Sequence, residues 1–129
     1  MKHKTDDNQE TIYFSVPGNP LPKQSYKHSK TGGYTPQRIK DWQNLIAVRF
    51  KEEYPGFVPF TGDVKAIIVF TRANKIRCDI DNLSKAVLDA LNGLAWEDDK
   101  QITKLDLTKR YDKENPSMWI LARDIGAME

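Results

Sequence analysis

Apolar positions fall into six groups along the chain, and their spacing differs from group to group. Ile12-Tyr13-Phe14-Ser15-Val16 reads as a strand, ended by the turn residues Pro17-Gly18-Asn19-Pro20. Leu21 to Thr35, rich in Lys, Ser, Gly and Tyr, has no period and reads as a long loop. Pro36 can open a helix, in which Ile39, Trp42, Leu45, Ile46, Arg49 and Phe50 keep 3–4 spacing up to Pro55-Gly56. Val64 to Thr71 is β-branched and strand-like. Asp79 to Leu91 predicts a second helix, with Ile80, Leu83, Val87 and Leu91 on its buried stripe and Asn92-Gly93 closing it. In Ile102 to Tyr111, Thr103, Leu105 and Leu107 face one way, and Lys104, Asp106 and Thr108 the other. Asn115-Pro116 makes a turn before a last strand, Met118 to Ala122. The order β-α-β-α-β-β predicts an α+β single domain, a mixed β-sheet packed with two main helices. Residues 1–10 form a polar tail and 11–129 the domain.

Composition narrows the class. With 129 residues, 39% of them hydrophobic, the chain fits one globular domain. The longest strongly apolar run, Ala66 to Phe70, is far short of the roughly 18 residues a spanning helix needs, so no membrane is expected. The polar start does not resemble a signal peptide, and the single cysteine, Cys78, suits a reducing interior; a cytoplasmic protein is expected.

The net charge is only +2, yet charge is unevenly spread. Between Pro20 and Lys51, Lys23, Lys27, Lys30, Arg38, Lys40, Arg49 and Lys51 face Asp41 alone. Arg72, Lys75 and Arg77 follow, and then carboxylates crowd Asp79 to Asp99. A basic field beside an acid cluster suits a polyanion site with a metal; scattered surface charge is the plainer alternative.

On the second helix Asp81, Lys85, Asp89 and Asn92 share a face, and Asp79 stands at the helix start. Neighbouring carboxylates repel unless a cation lies between them, and Mg²⁺ takes a few carboxylates while keeping waters. A chain turning back after this helix brings one of Asp98-Asp99 into the same cluster. Three aspartates beside Lys85 would form a metal-dependent phosphodiesterase site. The same residues also admit a helix cap, ordinary Asp–Lys helix pairs and a solvated turn.

The stretch Asp79-Ile80-Asp81-Asn82-Leu83-Ser84-Lys85, continuing to Asp89-Ala90-Leu91-Asn92-Gly93 and resuming in Trp96-Glu97-Asp98-Asp99-Lys100-Gln101-Ile102, resembles the RusA family of Holliday junction resolvases. Pro17-Gly18-Asn19-Pro20-Leu21-Pro22-Lys23-Gln24 and Gly33-Tyr34-Thr35-Pro36 extend the likeness upstream. The resemblance implies a Mg²⁺-dependent endodeoxyribonuclease, with Mn²⁺ as a substitute and no organic cofactor. It implies metal-binding Asp79, Asp81 and Asp99, with Asp98 as the neighbouring candidate, and a catalytic Lys85. It further implies a homodimer acting on four-way DNA junctions. Lys23, Lys27, Lys30, Arg72, Lys75 and Arg77 are the expected DNA contacts.

Two features depart from the family pattern. Ser25-Tyr26-Lys27-His28 replaces an arginine-rich run, and Cys78 stands where many relatives carry proline. Trp42, Phe50 and Trp96 are expected in the core. Tyr26 and Tyr34 suit either loop anchoring or DNA contact, and Lys109 and Arg110 either phosphate contact or solvent. The competing classes are a non-catalytic branched-DNA-binding module and an Asp-x-Asp phosphatase.

Overall fold

The computed structural model describes residues 11–23 and 35–126. The strands are β1 (Thr11–Pro17), β2 (Asp63–Arg72), β3 (Ile102–Tyr111) and β4 (Ser117–Gly126), and the helices α1 (Gln37–Glu53) and α2 (Ile80–Leu91). They form one mixed sheet of order β1-β4-β2-β3. β4 runs antiparallel to both β1 and β2, whereas β3 is parallel to β2. A parallel neighbour requires a crossover, and α2 supplies it between β2 and β3. The expected α+β architecture and element order are those of the structure. The expected tail at 1–10 lies outside the described residues.

Alternation decides which sheet face meets the helices. Ile12, Phe14 and Val16 of β1, Val64, Ala66, Ile68 and Phe70 of β2, and Met118, Ile120 and Ala122 of β4 are buried in one cluster. From α1 the cluster takes Trp42, Ile46 and Phe50, and from α2 Leu83, Ala86, Val87 and Leu91. Burying each large apolar side chain contributes roughly 1.5–3 kcal/mol, so this shared face, rather than helix propensity, holds α2 in place. An aromatic row runs through Phe14, Phe50, Phe57 and Phe60 with ring centroids 5.3–5.6 Å apart. Gln43 Nε2 donates to the Ala86 carbonyl at 3.0 Å and ties α1 to α2.

The differences from the sequence expectation lie at element ends. Pro36 is the N-cap of α1 rather than its first helical residue, and β4 runs on past Ala122 to Gly126. A 3₁₀ turn, Asp99–Gln101, precedes β3. β3 is the edge strand beside α2 and is largely exposed on both faces. Among the described residues no helix is long and apolar enough to cross a membrane.

Candidate active site

The path from β2 into α2 is pinned by a charged residue. Arg72, at the end of β2, is buried, and its guanidinium donates to the carbonyls of Pro20 at 3.4 Å and Ile76 at 2.9 Å. A buried guanidinium needs such acceptors, because an unpaired charge in the interior is costly. The sequence counts Arg72 among the DNA contacts; it is buried, and these bonds make it a strut under the 73–78 loop, although it also borders the groove lined by Lys75 and Arg77. The loop delivers the chain to Asp79, the N-cap of α2.

Asp79 caps with its backbone only. Its carbonyl accepts from Asn82 N and Leu83 N, while its carboxylate makes no capping hydrogen bond and lines the cleft beside α2. Helical geometry brings Asp81 and, one turn on, Lys85 to the same cleft. The third carboxylate arrives from the 3₁₀ turn, which places Asp99 on the cleft wall with Thr103 and Leu105 of β3. Asp79, Asp81, Lys85 and Asp99, drawn from two separate stretches of sequence, therefore share one open cleft of about 490 Å³.

Asp98 has a different task. Its carboxylate accepts from Lys100 N at 2.9 Å and completes a capping box with Gln101, so it is not among the cleft-lining residues. Gln101 is the anchor of this turn, and sequence reasoning passed over it. Its Oε1 accepts from Glu97 N and Asp98 N, and its Nε2 donates to the Phe60 and Gly62 carbonyls, each at 2.8–3.0 Å. The Asp-x-x-Gln spacing was the available signal. Gly62 itself is constrained, since a Cβ there would collide with the Asp124 carboxylate.

Gln101→Ala removes all four of these bonds at once. It is expected to cost about 2–4 kcal/mol in chemical denaturation, because each hydrogen bond nets roughly 0.5–1.5 kcal/mol and water can replace some of them. The same variant is expected to lower turnover by loosening Asp99, which a turnover assay on the folded protein checks.

The donor set bears on what the cleft can hold. Its carboxylate oxygens are hard ligands of the kind Mg²⁺ and Mn²⁺ prefer. Among the described residues no three His, Cys, Asp or Glu side chains stand close enough together to hold a metal ion as the side chains are placed, so the case for a cation rests on the chemistry of the donors that line the cleft.

The expected DNA contacts divide. Lys23 is committed to α2: its N–H donates to the Asn82 carbonyl at 2.9 Å and its ammonium pairs with Asp89. Lys27 and Lys30, with Tyr26 and Tyr34, lie outside the described residues. Lys75 and Arg77 are exposed and line a second groove, of about 300 Å³, with Lys109, Arg110 and Tyr111. The Lys75 ammonium lies over the Tyr111 ring, 5.2 Å from its centroid. Lys109 Nζ donates to the Cys78 carbonyl at 2.6 Å, so the groove abuts the backbone that carries Asp79.

Comparison with known proteins adds two findings. A family model described as Endodeoxyribonuclease RusA matches residues 17–121, a span that contains the cleft and the groove. An uncharacterized protein of Bacillus subtilis (strain 168), YqaN, is 26% identical over 142 residues, covering 92% of this chain and 99% of its own.

Proposed function

This chain belongs to the RusA endodeoxyribonuclease family, and from that premise we propose that it resolves four-way DNA junctions by metal-dependent phosphodiester hydrolysis. The observation that carries the reading is the gathering of Asp79, Asp81, Lys85 and Asp99 in one solvent-open cleft. A module that only bound branched DNA would have no use for three carboxylates facing a polyanion, since each repels phosphate.

Asp79, Asp81 and Asp99 would hold Mg²⁺, with Mn²⁺ as a substitute. When bound, the cation supplies Lewis-acid charge at the phosphate and lowers the pKa of an attacking water. The chain's own groups do the rest. Lys85, one helical turn from Asp81, offsets negative charge developing on the phosphate oxygens. Gln101 fixes the turn that carries Asp99. Lys75, Arg77, Lys109 and Arg110 bind backbone phosphates of a DNA arm leading to the cleft.

A four-way junction has approximate two-fold symmetry, so paired symmetric cuts call for two sites related by a C2 axis, and the working form is a homodimer. The long exposed edge of β3 beside the cleft offers a surface for a second copy. Its place of action is the cytoplasm, in DNA recombination and repair. The activity is tested by comparing cutting of a four-way junction, a flap and a linear duplex of the same sequence. Cuts confined to the junction support the reading, and equal cutting of linear duplex contradicts it.

The groove yields a further expectation. Lys75→Ala combined with Arg110→Ala is expected to weaken junction binding and to reduce the slope of log K against log salt by about 1 for each phosphate that the double variant leaves unneutralised. Binding isotherms at several salt concentrations measure it; an unchanged slope removes these residues from the DNA interface.

A further inference from the structure

The 73–78 loop carries Ile76, a large aliphatic side chain that is 71% exposed. Single exposed apolar residues are common and need no explanation by themselves. Two features set this one apart. The first is the rigidity of its backbone: Ile76 N donates to Asn74 Oδ1 at 2.9 Å, and the Ile76 carbonyl accepts from buried Arg72 at 2.9 Å. At the base of the loop Ala73 N donates to Asn19 Oδ1 at 2.8 Å. The ordering cost of presenting the side chain is thus met before any ligand arrives.

The second feature is its company. Ile76 stands between exposed Lys75 and Arg77 in a groove lined also by Arg72, Asn74, Lys109, Arg110 and Tyr111. No carboxylate belongs to the described lining. Cations suffice to hold phosphates, so an aliphatic group fixed among them serves only if the polyanion also offers an apolar surface. In continuous duplex the base-pair faces are covered by stacking. Where helices meet at a branch, the terminal pair's face can be uncovered, and an aliphatic wedge can take the place of the missing neighbour. The groove abuts the acid cleft, because Lys109 holds the carbonyl of Cys78, next to Asp79.

We propose that Ile76 is a wedge that seats against an unstacked base pair at the branch point, while the flanking cations hold the phosphates on either side. The inference rests on the junction reading above and adds the residue that separates branched DNA from continuous duplex. Ile76 is not among the residues that line the acid cleft, so its proposed role is to determine specificity rather than to take part in the reaction.

The test uses the full chain, a four-way junction carrying 2-aminopurine beside the branch, and buffer without divalent metal so that nothing is cut. The wild type is expected to raise 2-aminopurine fluorescence on binding. Ile76→Ser is expected to lose most of that rise and to lower the preference for junction over duplex about tenfold, with an unchanged salt slope. Ile76→Leu, which keeps an aliphatic group, should restore both. An equal fluorescence rise and equal preference in Ile76→Ser would overturn the wedge, even where junction cutting by the wild type in Mg²⁺ stands. Failure of the wild type to bind or cut a junction would overturn the junction reading, and the wedge with it.

Discussion

Asp81→Asn is expected to lower junction cutting by roughly 10²–10³-fold, the scale on which losing one preorganised group from a reaction site is felt, while junction binding stays equal or tightens. The two effects have opposite signs for one physical reason. The Asp81 carboxylate sits in the cleft with Asp79 and Asp99, where it attracts a cation and repels bare phosphate. Asparagine keeps the shape and removes the charge, so cation affinity falls and repulsion of DNA falls with it. Asp81 is exposed on the first turn of α2, and its replacement leaves the core untouched. Cutting rates and binding isotherms on the same purified protein measure both signs. Cutting at the wild-type rate would remove Asp81 from the reaction.

The largest loss of stability is expected from Trp96→Ala, at about 3–5 kcal/mol, or a fall in Tm of roughly 10–20 °C. The indole is fully buried, and its Nε1 donates to Asn92 Oδ1 at 2.9 Å. The backbone around it is stitched in two places. Phe60 N donates to the Ala95 carbonyl at 2.8 Å, and Gly93 N to the Trp96 carbonyl at 2.7 Å. Truncation leaves a cavity directly before the Glu97–Gln101 turn, so the damage should spread to Asp99 and lower turnover in the fraction that remains folded. Trp96→Phe keeps most of the volume and loses one hydrogen bond, so it should cost only about 1–2 kcal/mol. Urea denaturation of the three proteins separates these expectations.

What the sequence disclosed depends on how local each cause is. The four-residue step from Asp81 to Lys85 is set by helix geometry, and the structure brings both to one cleft. Asp79 was ambiguous, because an aspartate at a helix N-cap ordinarily turns its carboxylate onto the backbone; here only its carbonyl does so. The choice between Asp98 and Asp99 was encoded in the Asp98-x-x-Gln101 pattern, which assigns Asp98 to the capping box and leaves Asp99 toward the cleft. Arg72 and Lys23 could not be sorted from their charges. Burial of Arg72 against the Pro20 and Ile76 carbonyls, and the pairing of Lys23 with Asp89, depend on how the folded chain brings its segments together. Strand order has the same origin: periodicity marks each strand's inner face but carries no information on which strand lies beside it.

Metal-dependent junction cutting is measured by incubating the purified protein with a labelled mobile four-way junction, with and without Mg²⁺, alongside linear duplex and an Asp79→Asn control. Symmetric paired nicks at the junction that require the metal are expected, with none on linear duplex and none from Asp79→Asn. Junction binding without nicking in either Mg²⁺ or Mn²⁺, or nicking by Asp79→Asn at the wild-type rate, would contradict the proposed reaction.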